Sequence, residues 1–112
     1  MRSVLFIATA LLMAACQPPA DAPDWSGKWM GPEGTYMTLQ QNNRGTYDVA
    51  IRDLDGERVF NAAHNAEGVL EFTRDGVREK IVPGNGAQTG MKWLADKHDC
   101  LVIRMGEGYC CD

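Results

Sequence analysis

Serine is nearly absent from this chain: only Ser3 and Ser26 occur, and neither has the Gly-x-Ser-x-Gly setting that raises a nucleophile on a strand-to-helix turn. Histidine is equally scarce, with His64 and His98 alone, so an arrangement built on several imidazoles is excluded. No Cys-x-x-Cys pair appears among the four cysteines, which removes the usual zinc and dithiol spacings. Gly84-Asn85-Gly86 and Gly31-Pro32-Glu33-Gly34 do not follow a strand and open a helix, so they read as turns and not as phosphate cradles. No window carries a helical apolar stripe, and 12 glycines with 5 prolines in 112 residues weigh against long helices. Blocks of like charge, low-complexity tracts and internal repeats are also missing. Together these absences disfavour enzymatic activity and give no reason to expect a cofactor.

What the chain does have is a rhythm of turns. Asn42-Asn43-Arg44-Gly45, Asp55-Gly56, Asn65-Ala66-Glu67-Gly68, Asp75-Gly76, Asn85-Gly86 and Met105-Gly106-Glu107-Gly108 recur at a spacing of about ten residues, which is that of antiparallel hairpins. Between them the side chains alternate. Tyr47, Val49 and Ile51 fall on one face against Asp48, Ala50 and Arg52, and Leu70 and Phe72 oppose Glu71 and Thr73. Met37 and Leu39, Phe60 and Ala62, Met91 and Trp93, and Leu101 and Ile103 supply further inward candidates. The expectation is an all-β domain over residues 25–112, a small antiparallel meander of about eight short strands. Such a meander escapes exposed edges most simply by closing into a barrel.

The N-terminus is a different material. After Arg2, residues 4–15 are uncharged and mostly apolar, too few for the roughly 20 that a spanning helix needs, so residues 1–15 read as an export signal. Its end, Met13-Ala14-Ala15-Cys16, resembles the lipobox of bacterial lipoproteins, with Met13 where Leu is usual. That resemblance implies cleavage before Cys16, lipidation and acylation (palmitate-type) of Cys16, and stable membrane anchoring by two or three chains. In Gram-negative relatives an Asp after the cysteine favours inner-membrane retention; Gln17 is not Asp, which implies the periplasmic face of the outer membrane. Residues 16–24, rich in Pro and Ala, read as a semi-rigid tether reaching about 25 Å at most. Loss of Arg2 with the signal lowers the 11 basic residues by one against 15 acidic ones, so the mature chain is acidic and a nucleic-acid partner is not expected.

Gly27-Lys28-Trp29 at the start of the domain is similar to the Gly-x-Trp opening of lipocalins and related barrels. The resemblance implies a lipocalin-like barrel in which Trp29 closes one end and Arg104, from a late strand, packs over it. It also implies a carrier role for a small apolar ligand, with Trp29, Met37, Phe60, Phe72, Met91 and Trp93 as the candidate lining. The mature chain is short for that family, and a small barrel's interior is readily filled by its own side chains.

Beyond Cys16, the odd set Cys100, Cys110 and Cys111 implies one bridge and one leftover thiol in an oxidising compartment. Cys100 and Cys110 flank a hairpin and are the expected pair, with Cys111 as the alternative partner. His98, Cys100, Cys110 and Cys111 have zinc-type side chains but not zinc-type spacing, so no metal is expected there. Asp53, Asp55 and Glu57 flank a turn and lack the longer ligand series of a calcium loop. His98 falls in a polar turn, and His64 shares a face with Phe60 and Ala62 as a barrel-end residue. Two functions stay open: a non-enzymatic protein-binding or accessory module in the periplasm, presenting residues 31–34, 42–45 and 83–90 to a protein partner, and the lipocalin-like carrier.

Overall fold

Alternation in the sequence becomes closure in space. The structure, a computed structural model, describes residues 25–111; the signal, Cys16, the tether and Asp112 lie outside the described residues. Eight antiparallel strands form a closed barrel in sequence order, with β1 (Gly27–Met30) meeting β8 (Glu107–Cys110) through Met30 and Cys110. Between them run β2 (Tyr36–Gln41), β3 (Tyr47–Asp53), β4 (Gly56–His64), β5 (Leu70–Arg74), β6 (Val77–Gly84) and β7 (Cys100–Arg104). The longest ladder joins β3 to β4, from Tyr47 opposite Ala62 to Asp53 opposite Gly56.

The inward faces follow the period of two. Trp29, Met37, Leu39, Tyr47, Val49, Ile51, Ala62, Leu70, Phe72, Ile81, Leu101, Ile103 and Tyr109 are buried in one cluster that fills the barrel. Trp25 belongs to it as well, and its carbonyl accepts a hydrogen bond from Trp29 Nε1 at 3.0 Å, which fixes the indole at the end where the chain enters.

The 84–100 connection departs from expectation. Asn85-Gly86 does not close a hairpin, and Met91 and Trp93 do not lie on a strand: two short 3₁₀ turns, Ala87–Thr89 and Lys92–Leu94, occupy this stretch. Strand propensity in a short apolar run gives way here to local turn bonds, such as Thr89 N–H to the Gly86 carbonyl at 3.1 Å and Leu94 N–H to the Met91 carbonyl at 3.0 Å. The connection folds flat against the outside of β7 and β8. A β-carbon on Gly86 would lie 1.5 Å from the Leu94 carbonyl oxygen, and one on Gly108 would lie 2.5 Å from Thr89 Cγ2. Leu94 and Met91 pack there over Cys100 and Cys110, which face outward because their neighbours Leu101 and Tyr109 face in.

Cys100 and Cys110 are direct cross-strand partners and are joined as a disulfide, the expected pair. The expected leftover thiol is not found: none of the described cysteines, Cys111 included, is free.

Candidate functional site

Four hairpin turns gather at one end of the barrel: residues 31–35, 54–55, 75–76 and 105–106. Trp25 enters at the other end, since β1 runs from Gly27 to Met30 and delivers the chain to this mouth. Between the turns lies a cleft of about 600 Å³ lined by residues such as Glu33, Asp53, Arg58, Arg74, Arg104 and Tyr109.

The floor of the cleft is ionic. On β6 the period of two from Ile81 turns Glu79 inward, opposite Phe72, and leaves it 5% exposed. On β5 the same period from Phe72 turns Arg74 inward. Arg74 donates to Glu79 Oε2 from Nε at 3.1 Å and Nη2 at 2.9 Å. It also grips Glu107 from Nη1 at 2.9 Å and Nη2 at 2.7 Å. One guanidinium thus serves two carboxylates, a use of its fork that a lysine could not reproduce. Arg104 donates to Glu79 as well, and its Nε lies 3.8 Å from Glu107. Strict alternation after Ile103 would point Arg104 outward; a register shift between Val102 and Arg104 brings it opposite Glu107. Tyr109 Oη donates to Glu107 at 3.0 Å.

These contacts set the charge states. Burial by itself would raise Glu107, but Arg74's hydrogen bonds and charge, with Tyr109 and Arg104, outweigh it and hold the carboxyl below its ordinary range. Burial, then the Glu107 charge, pushes the Tyr109 hydroxyl well above its usual value, so it stays a neutral donor. Glu107's hydrogen bonds keep Arg74 firmly protonated despite desolvation. Each group is thus held in the form it already has, Glu107 as carboxylate, Tyr109 as neutral phenol and Arg74 as guanidinium, which suits a fixed structural contact.

The cluster also closes seams. β5 pairs with β4 at Leu70 and Glu71, and β6 pairs with β7 from Val82 to Gly84, so the outer half of the β5–β6 hairpin is held to its neighbours by side chains. On one side Phe60 packs against Phe72, ring centroids 5.1 Å apart and planes inclined by 43°, and Arg58 pairs with Asp75 at 2.8 Å. On the other side stand the Arg74–Glu107 and Arg104–Glu79 pairs.

Around this floor the rim is apolar where turn tips are ordinarily polar. Leu54 is 74% exposed and Met105 is 76% exposed, each at the tip of a turn lining the cleft. Pro32 joins the cleft to a smaller one of about 260 Å³, whose walls include Met30 and Trp93, the latter 71% exposed.

The residues expected to line a ligand site are dispersed. Trp29, Met37 and Phe72 are buried in the packed interior, and Phe60 is half-buried against it. Met91 lies outside the barrel wall over the disulfide and at the edge of the mouth cleft, and Trp93 is on the surface. Arg104 does not cover Trp29: its guanidinium goes to Glu79 and Glu107 at the mouth, while Trp29 borders a small hollow with Pro83, Cys100 and Leu101. Disulfide bonding of Cys100 and Cys110 removes both from any metal set, and no group of three His, Cys, Asp or Glu among the described residues is placed to hold an ion. Asp53 accepts the Asp55 N–H at 2.8 Å within its turn, and His64 meets the Tyr47 ring edge-on at 6.0 Å. Nothing in the sequence reading singled out Arg74 or Glu79. The period of two, continued from Phe72 and Ile81 to the strand ends, is the signal that places them.

No protein family matches the chain, and neither a curated protein nor a solved structure shows significant similarity to it.

Proposed function

We propose that this protein is a lipid-anchored component of a bacterial cell envelope, held through Cys16 at the periplasmic face of the outer membrane, and that its barrel is a non-enzymatic protein-binding module. The anchor rests on the lipobox-like residues 13–16. The binding role rests on one observation: the barrel is filled. Trp29, Met37, Tyr47, Val49, Leu70, Ile81 and Leu101 are essentially without solvent contact in the interior, and the Arg74–Glu79–Arg104 cluster caps them, so the surface available for function is external. A lipocalin-like carrier needs an interior space that this packing uses up.

Two measurements test the reading. Labelling cells with an alkyne-bearing fatty acid should tag the protein and fractionate it with membranes, and Cys16→Ala should abolish both; recovery of Cys16 in a disulfide-linked peptide instead of a thioether would overturn the anchor. Native mass spectrometry of the gently extracted protein then separates the roles. A protein adduct supports the binding module, whereas a stoichiometric adduct of a few hundred daltons beyond the anchor would make it a carrier.

A further inference from the structure

Resting on the protein-binding reading, we infer that the barrel mouth is the docking surface and that its partner is a protein segment presenting a Lys or Arg side chain flanked by apolar residues. The basic side chain enters beside Glu33 and Asp53, and its apolar neighbours lie on Leu54 and Met105.

Charge carries the first half of the argument. The three guanidiniums of the cleft are already committed: Arg58 to Asp75, Arg74 to Glu79 and Glu107, and Arg104 to Glu79. Glu33 and Asp53, which line the same cleft, are in no ion pair among the described residues. The unbalanced charge at the mouth is therefore negative, on a chain whose formal charge is −4. An anionic partner would have to displace a buried carboxylate from Arg74; a cationic one needs only the two open acids.

Surface chemistry carries the second half. Leu54 and Met105 expose most of their area at turn tips that line the same cleft as the acids, and large apolar side chains grouped around a polar floor are a mark of protein contact surfaces. The mouth lies opposite the end at which Trp25 enters.

The test is photo-crosslinking in intact cells with the full-length protein. A benzophenone amino acid is placed at Leu54 or Met105 at the mouth, and at Asn43 or Glu67 at the opposite end. The inference expects protein adducts from the mouth positions, with the cross-linked partner peptide containing Lys or Arg. It also expects at least a tenfold loss of adduct in Glu33→Lys/Asp53→Lys, with folding verified by unchanged protease resistance. Rim charges act on encounter, so adding salt to spheroplasts should reduce the wild-type adduct as well. Adducts at the mouth that survive charge reversal would overturn the basic partner. Adducts only at Asn43 or Glu67 would overturn the mouth and leave the protein-binding reading standing. Absence of any protein adduct at all four positions would remove that reading too.

Discussion

Replacing Arg74 by Met removes four charge-assisted hydrogen bonds at once, two to Glu79 and two to Glu107. The side chains of Arg74 and Glu79 are only 14% and 6% exposed, so water cannot take over the lost role at Glu79. Breaking a buried pair from one side costs about 3–5 kcal/mol. Arg104 still reaches Glu79, which places Arg74→Met near the lower bound, about 3 kcal/mol. That is a large share of the 5–15 kcal/mol that stabilises a typical domain. Urea unfolding of the full chain under non-reducing conditions measures the loss, provided the m-value is unchanged. Two companions sharpen the test. Arg74→Met/Glu79→Leu should recover at least half the loss, because an apolar pair beside Phe72 leaves no buried charge at position 79, and Arg104, whose Nε lies 3.8 Å from Glu107, is released to pair with that carboxylate. The deficit should also narrow in acid. Glu107's carboxyl is held below its ordinary range, so its stabilisation is complete above the unfolded value of about 4.3 and disappears as pH falls through the lower folded value. The wild type loses that contribution, and the variant has little of it to lose. A deficit under 1 kcal/mol, or one that stays constant from pH 7 to pH 3, would refute the assignment of the cluster as the clamp of the β5–β6 hairpin.

The same clamp predicts a local effect: in Arg74→Met, amide exchange should rise at residues 72–79 while β3 amides, embedded in the ladders to β2 and β4, keep their protection. Cys100→Ala/Cys110→Ala, which opens the bridge between residues ten apart, should cost about 3 kcal/mol by chain entropy and lower Tm by roughly 12 °C or more for a domain of this size; equal melts of variant and wild type would contradict it. Gly86→Ala should destabilise by at least about 2 kcal/mol, because the new β-carbon collides with the Leu94 carbonyl and the backbone there is fixed by the Gly86 N–H bond to Lys97. Gly68→Ala, with open space but φ of +83°, should cost only about 1 kcal/mol; the reverse order of the two in chemical denaturation would show the connection to be softer than its contacts indicate.

Short-range interactions are legible in this chain's sequence and long-range ones are not. Period-two patterning is local, and it placed Tyr47, Val49, Ile51, Leu70 and Phe72 on the buried face where the structure has them. It failed at Met91 and Trp93, where the same short pattern is taken up by a 3₁₀ turn against the barrel wall. The pattern was also present but unread at Arg74 and Glu79. Charged residues at the ends of strands look like solvated turn flanks until closure brings β5, β6, β7 and β8 to one mouth.

What the sequence by itself determined is the repeat of turns and alternating faces, hence an antiparallel all-β meander, and the hairpin that sets Cys100 opposite Cys110. Both depend on neighbours within about ten residues, which the chain order already specifies. Only the tertiary structure decided that the interior is filled, that the bulge after Val102 swings Arg104 to Glu79, and that Arg74 reaches Glu107 across 33 positions of chain. Those outcomes depend on how far each strand tilts and where its register slips as the sheet closes, and a shift of one residue would have pointed the same side chains at solvent.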